Sequence, residues 1–433
     1  MSIEIKNERN YAALVIRVPE LIKAQNSDFL YIINVAGNTV VVNDSWKDRV
    51  GQLAVMFPAE SQISEGLAHH ANLHRHADLN RIETEQGYLE DNRRVRALKL
   101  RGNVSNGLIL PILEVADYIG YSVPPADFEE GLIFDTVDGK ELCRKYVIKT
   151  TEPVNRGDKK GKQAFKRVDG KLFPEHVDTD QYLRNEHYFN DDDLLIVTQK
   201  LHGSSGRWGV VPVRRELSWW ERALVKLGVQ IQDTRYEPVA GSRRVIKDVH
   251  NPAQQSFYGD GGDLWAHHLE KLEDSIPKGF ILFGEIVGFT STGQAIQKGH
   301  TYEAQPGESE VYIYRIAQVN EDGITTDLSW DQIRGFCNAR GIKHVPELWR
   351  GFKKDFDPAA FEEKNFFGEN WNYRGGYADK PVALSKGGTG KDEGIVIRLD
   401  RDSQTPYLSK IKNPSHYLWE TAELDTGEEG IEA

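Results

Sequence analysis

The chain has 433 residues, a net charge of −12 and two cysteines, Cys143 and Cys337, too far apart and too isolated for a disulfide framework or a zinc site. Its length can bury a large core and predicts two or three domains. No stretch approaches the roughly 18 apolar residues of a membrane span, and MSIEIKNERN lacks an apolar signal core. A cytoplasmic chain with no membrane partner is therefore expected, and the acidic balance argues against nonspecific coating of nucleic acid while leaving room for a local basic groove.

The first 125 residues read as strands: ALVIRV (13–18), FLYIINV (29–35), TVVVN (39–43), QLAVMF (52–57), RVRALKLRG (94–102) and GLILPI (107–112), separated by Gly, Asn and Asp turns. Short strands at this density predict a small β-barrel. Arg94, Arg96, Lys99 and Arg101 give its fifth strand either a basic face, of the kind OB-type barrels offer nucleic acid, or a solvated side. His69, His70, His74 and His76 have no carboxylate or cysteine pattern around them and read as a surface loop or helix rather than metal ligands. Pro124-Pro125 marks a boundary. The block 140–171 that follows, with eleven basic against four acidic residues, is either a solvated linker or a phosphate-contacting surface.

A second domain is expected from FPEHVDTDQYLRN (173–185) to Trp419. Within it LSWWERALVKLGV (217–229) predicts an amphipathic helical insertion, with Trp219, Trp220, Leu224 and Leu227 packed inward. The expected organisation is thus a barrel over 1–125, a basic linker over 126–172, an α+β domain over 173–420 and a frayed acidic tail over 421–433. No fixed-period repeat is present.

Three Lys-x-x-Gly strings occur, at Lys99, Lys200 and Lys391. Only Lys200 follows a buried-strand pattern, LLIV (194–197), and precedes a Gly/Ser turn, GSSG, with room for a phosphate. A lysine nucleophile needs a lowered pKa, which neighbouring cations or a metal supply. KGFILFGEIVG (278–288) reads as a strand whose Ile281, Phe283, Glu285 face carries one carboxylate among apolar residues, a placement that needs a polar partner such as a ribose hydroxyl. VYIYRIAQV (311–319) puts Tyr312 and Tyr314 on one face, for stacking on a base or for the core. Glu393 opens DEGIVIRL at the rim of an apolar surface and suits a metal-phosphate complex. In YLSKIKNP (407–414), Lys410 and Lys412 share a strand face and repel each other unless an anion such as a triphosphate lies between them; lysines guarding an edge strand are the alternative.

KLHG (200–203), SRRV (242–245), FGEIVG (283–288), YIYRI (312–316), DEGIVIR (392–398) and LSKIK (408–412) resemble, in order, the nucleotidyltransferase motifs of covalent polynucleotide ligases and capping enzymes. The histidine of KLHGSS and the IQKG segment (296–299) are more similar to RNA ligases than to DNA ligases. The candidate barrel precedes the lysine motifs, and only some twenty residues follow Lys412. With LCRKY, FPEHVDTDQYLRN and VRALKLRGNVSNGLILP, that order resembles nick-sealing RNA ligases of the Deinococcus and Naegleria type.

The resemblance implies an α+β fold: an N-terminal OB-like barrel, then a nucleotidyltransferase domain of antiparallel sheets with flanking helices. It implies that Lys200 attacks the α-phosphate of ATP to form lysyl-AMP, with Mg2+ or Mn2+ assisting. AMP would pass to the 5'-phosphate of a nick, and a 3'-hydroxyl would displace it. Arg243 would lie near ribose and phosphates, with Arg244 as the alternative. Glu285 would bind ribose, Tyr314 stack on adenine, Glu393 associate with metal, and Lys410 and Lys412 bind phosphate. The implied partner is nicked duplex RNA or an RNA/DNA hybrid, with RNA at the 3'-hydroxyl end, and a monomer is expected. Gln199 stands where many RNA ligases have glutamate, and Tyr314 where phenylalanine is usual. KGGTGKD (386–392) is not a Walker loop, because Ser385 and Asp392 occupy places that need Gly and Ser or Thr. DNA ligase, guanylyltransferase and a noncatalytic nucleic-acid-binding relative are the competing readings.

Overall fold

The computed structural model describes residues 1–147, 167–247, 263–361, 379–385, 389–401 and 405–425. They fall into two compact units. The first is built from the described parts of Met1–Thr151, Asp180–Tyr188 and Ile411–Glu429, the second from those of Glu152–Thr179 and Phe189–Lys410.

In the first unit Gly107–Pro111, Leu53–Pro58, Ala13–Arg17 and Ile133–Phe134 form an antiparallel sheet in that order. The run Ala13 to Ile16 is buried throughout because both faces of this sheet are covered. Leu14, Ile16, Met56 and Ile109 pack with Ile33, Val40 and Val42 of the meander Ile22–Lys23, Leu30–Val35, Asn38–Asn43. Ala13, Val15, Val55 and Leu108 pack on the other side with Leu67, Ile112 and Val115, carried by the helices Glu65–His70 and Ile112–Ile119. This layered arrangement differs from the expected barrel: among the described residues the four-stranded ladder is not closed by strand pairing, although the Asn106 N–H beside its Gly107–Pro111 end donates to the Thr39 carbonyl of the meander at 2.8 Å.

Three expectations for this unit change. The linker does not begin at 126, because Ile133–Phe134, Thr136–Val137 and Cys143–Lys145 pair with strands of the unit, and Phe134 and Cys143 are fully buried. Most of the basic block, 148–166, lies outside the described residues. The tail does not fray at 421, because the helix Pro414–Asp425 extends through it and Thr421 is buried. Arg94 is neither basic face nor solvated side. It is 2 % exposed and bonded to Glu60 at 2.7 and 2.8 Å and to Asp425 at 3.1 Å, and Arg96 also pairs with Asp425. Lys99 and Arg101 remain exposed. His70 and His76 face Asp117 and Asp91, and His74 is buried. These histidines form no metal-ligand group among the described residues.

The second unit holds an antiparallel sheet in the order Ile246–Lys247, Thr234–Ser242, Ser204–Arg214, Phe280–Gly288, Ser309–Val319, Thr325–Asp327. Its second sheet places Tyr407–Lys412, of which the residues through Lys410 belong to this unit, then Gly394–Leu399, Leu194–Lys200 and Glu347–Phe352 side by side. Residues of both sheets, among them Ile196, Trp208, Leu282 and Ile316, share one core with Trp265 and Trp330 of the helices Leu264–Leu272 and Trp330–Arg340. A second cluster, including Phe173, Val211, Ile281 and Phe283, covers the opposite face of the larger sheet. The insertion forms the expected helix, Trp219–Lys226, started by a Ser218–Glu221 capping box. Its tryptophans do not pack inward, since Trp219 is 83 % and Leu227 79 % exposed. The buried residue of this helix is Glu221, held by Arg215 at 2.7 and 3.1 Å. That carboxylate takes the inward position that the apolar pattern assigned to tryptophan.

Candidate active site

The strand Leu194–Lys200 is buried from Leu195 to Gln199 because it lies between two neighbours in its sheet, and it delivers Lys200 half-buried at its end. Lys200 pairs with Gly394 in the register, which brings the preceding Glu393 alongside. Lys200 Nζ lies 2.7 Å from Glu393 Oε1, and His202 Nδ1 lies 3.5 Å from Oε2 of the same carboxylate. The turn to the next strand is fixed through its backbone. The His202 N–H donates to the Tyr302 hydroxyl at 2.8 Å, the Gly203 N–H to Glu285 Oε1 at 2.9 Å, and Gln297 Nε2 to the Gly203 carbonyl at 2.9 Å. A Cβ at Gly203 would come within 2.2 Å of the Ile286 carbonyl oxygen, so the glycine serves the close approach of two chain segments.

Glu285 faces Ser205 across the strand pair, and the Ser205 hydroxyl donates to Oε2 at 3.2 Å. The polar partners expected for this carboxylate are thus present in the protein. Burial pushes its carboxyl up to about 7, opposed by the charge of Lys200 and reinforced by that of Glu393. An irregularity in the pairing between Phe283 and Gly284 leaves Tyr314 without an opposite residue. Both tyrosines still pack against the core cluster that holds Ile313 and Ile316, but their hydroxyls find different partners. Tyr312 is in the core with its hydroxyl on Glu310, while the Tyr314 hydroxyl meets His176 Nδ1 at 2.6 Å.

Arg243, just past the strand Thr234–Ser242, pairs with Asp178 at 2.7 Å, and its charge reaches both His176 and Tyr314. The second unit therefore gathers two groups, Lys200, Glu285 and Glu393 in one, Tyr314 and Arg243 in the other, and the charge of Glu285 reaches Tyr314. Lys410 ends the second unit, whereas Lys412 belongs to the first. The Lys412 ammonium bonds Glu420 at 2.8 and 2.6 Å and lies over the Tyr417 ring. Its charge is met within the protein, so the lysine pair does not by itself demand a triphosphate. Gln199 is also committed elsewhere: Nε2 donates to the Val382 carbonyl at 2.9 Å, and Oε1 accepts from the Val382 N–H at 2.8 Å.

The donor set fits the groups that the motifs imply. Glu393 offers carboxylate oxygens, the ligands that Mg2+ and Mn2+ prefer, and the Lys200 ammonium already occupies one as a cation. Lys200 and Arg243 carry the positive charge that phosphates require, and Glu285 a carboxylate of the kind that accepts from hydroxyl groups. Sequence reasoning assigned no role to His176 or Gln297, although FPEHVDTDQYLRN and IQKG contain them, and it passed over His300 and Tyr302. The His300 ring lies edge-on to His202 at 4.7 Å, and its Nε2–H donates to the Lys391 carbonyl at 2.7 Å. Tyr302 adopts φ +48, a left-handed conformation uncommon for its type, as it meets the His202 N–H. The polar run QKGHTY (297–302), which continues IQKG, was the available signal. Of KGGTGKD, residues 386–388 lie outside the described residues, and Gly390 packs closely on Gly299.

No curated protein matches the chain by sequence. Solved structures of Naegleria gruberi RNA ligase share its fold. A point mutant in the apo form superposes with a TM-score of 0.55 at 16 % identity, covering 94 % of this chain and 97 % of that one. Another, with ATP and Mn, gives 0.53 at 16 % identity and covers 98 % and 100 %. A third, with AMP and Mn, gives 0.53 at 16 % identity and covers 94 % and 98 %. The profile of the RNA ligase family matches residues 193–412, a span that runs from the strand carrying Lys200 through Glu285, Tyr314 and Glu393 to Lys412, and by that match the chain belongs to the RNA ligase family.

Proposed function

We propose that the chain is an ATP-dependent RNA ligase that seals 3'-hydroxyl/5'-phosphate nicks in duplex nucleic acid through lysyl-AMP at Lys200, with RNA required at the 3'-hydroxyl end. The observation that carries the reading is the Lys200–Glu393 pair at 2.7 Å, beside a Glu285 carboxylate anchored by the Gly203 N–H and Ser205. Likeness to ligase structures that contain ATP, AMP and Mn supports ATP and a divalent ion as the cofactors.

The Lys200 amine, once deprotonated, attacks the α-phosphorus of ATP. A phosphorus–nitrogen bond forms and pyrophosphate leaves. A 5'-phosphate oxygen of the nick next attacks the same phosphorus, freeing lysine and forming a 5'-5' pyrophosphate link. The 3'-hydroxyl then attacks the 5'-phosphate, losing its proton and expelling AMP. Each step is a phosphoryl displacement, so positioning and charge neutralisation supply most of the catalysis. A divalent ion at Glu393 supplies neutralisation of the phosphates. Glu285 accepts hydrogen bonds from ribose hydroxyls, Tyr314 carries the base, and Arg243, Lys410 and Lys412 meet phosphate charge, Lys412 by exchanging Glu420 for the nucleotide.

The first unit takes the place of the OB-like domain of this family, and its exposed Lys99 and Arg101 are the candidate phosphate contacts for nicked duplex RNA or an RNA/DNA hybrid. The ligase acts as a monomer. Incubation with α-labelled ATP or GTP tests the chemistry. Labelled protein is expected with ATP and not with Lys200→Ala, and labelling only with GTP would instead favour a capping-type guanylyltransferase. Matched nicks that differ only in RNA or DNA at the 3'-hydroxyl end test the substrate, and equal sealing of both would favour a DNA ligase.

A further inference from the structure

The segment Phe173–Asp178 lies against the sheet face that carries Tyr314. Phe173 is buried beside Phe283, and Asp178 pairs with Arg243. Between them, His176 sits edge-on to Phe283 with ring centroids 5.1 Å apart and bonds Tyr314 through Nδ1 at 2.6 Å. Its other nitrogen, Nε2, is buried with no hydrogen-bond partner among the described residues. The tautomer follows from the bond that is made. Phenol is the stronger acid and imidazole nitrogen the stronger base, so Tyr314 donates to Nδ1 and the ring hydrogen resides on Nε2. A second ring proton is opposed: burial, then the charges of Arg207, Arg243 and Arg315, hold this imidazole well below its usual value.

His176 is therefore a neutral ring with one oriented donor. An unused buried donor is costly, and such groups in native proteins call for an explanation. The three nearby arginines are also donors and cannot accept from it. What is missing is an acceptor, and it must reach the ring that Tyr314 holds in place.

We infer that His176 is a specificity-determining residue, whose Nε2–H donates to a ring nitrogen of the purine carried by Tyr314. The inference rests on the nucleotide site proposed above and adds a polar reader to an otherwise aromatic base contact. Stacking accepts any flat ring. A single donor of fixed direction selects how the purine is turned, and so where its sugar and phosphates lie relative to Glu285 and Lys200.

The test is self-labelling of the full chain with ATP and with 1-deaza-, 3-deaza- and 7-deaza-ATP, each of which replaces one ring nitrogen by C–H. In the wild type, one analogue is expected to show a KM raised about tenfold, the scale of one lost hydrogen bond, with kcat little changed. In His176→Ala the KM for ATP itself rises by a similar factor, and that analogue carries no further penalty. Tyr314→Phe keeps the ring but releases His176, and shows a reduced penalty for the same analogue. Two outcomes overturn the inference: no analogue weakens the wild type, or the penalty persists unchanged in His176→Ala. The first needs no variant to fold. Absence of labelling with any nucleotide instead overturns the ligase reading on which it rests.

Discussion

Lys200 and Glu393 meet at 2.7 Å because the register that sets Lys200 against Gly394 leaves the preceding carboxylate beside the ammonium. Replacing Lys200 by alanine or methionine is expected to abolish labelling by α-labelled ATP. Glu393→Gln keeps the shape but removes the charge, and labelling should fall on the order of 10²-fold, the scale of one lost electrostatic contact at a transition state. Retained labelling in Lys200→Ala would place the nucleophile elsewhere.

Glu285 links stability to pH. Burial raises its carboxyl from an ordinary 4.5 to about 7, so the folded protein keeps a proton that the unfolded chain releases. Its contribution to stability is complete below about pH 4.5 and is lost as pH rises through about 7. Denaturant unfolding of the nucleotide-free and metal-free protein at pH 5 and pH 8 measures this. Glu285→Gln should gain on the wild type at pH 8, by no more than roughly 3 kcal/mol, and should fail to label at either pH. A stability gap that does not change with pH counts against the reading.

Gln199 uses both ends of its amide on one residue, Val382. A carboxylate can accept from the Val382 N–H but cannot donate to its carbonyl. Gln199→Glu is therefore expected to lose about 1–3 kcal/mol in thermal unfolding and to gain nothing in KM for ATP. Tighter ATP binding at unchanged stability would make this side chain a nucleotide contact after all.

Arg94 is buried against Glu60, whose own carboxyl burial pushes upward before the arginine lowers it. Removing the guanidinium strands that carboxylate. Arg94→Ala should cost about 3–5 kcal/mol in unfolding experiments, whereas Lys99→Ala, at an exposed position, should stay within about 0.5 kcal/mol. Nick binding by Lys99→Ala should weaken and become less steep in salt. Equal losses of stability in both variants would refute this division of roles.

What could be read in advance followed from local periodicity. Period-two alternation places Ile281, Phe283 and Glu285 on one face, and the register then sets Glu285 against Ser205. Long-range events were not readable. One irregularity leaves Tyr314 without a cross-strand partner, while Tyr312 keeps Glu285 as its own. Glu420, eight residues beyond Lys412, answers a charge that looked unanswered. Glu60 and Asp425 claim Arg94 across gaps of 34 and 331 residues. In the Trp219–Lys226 helix the pattern indicated which face was apolar, but not that this face would meet water while Arg215 drew Glu221 inward.

The first unit is stitched from distant parts of the chain, with the Thr421 hydroxyl donating to Glu60 across 361 residues and its oxygen accepting the Ala97 N–H. During synthesis, residues 1–147 leave the ribosome long before the helix Pro414–Asp425 exists. Until then Arg94 and Arg96 lack Asp425, and the Ala97 amide lacks its acceptor. Domains fold in order of emergence when their contacts are local. Here the earliest-made unit is the last to be finished, so a nascent chain stalled before residue 414 carries an incomplete first unit, and chaperones have that interval in which to act on it.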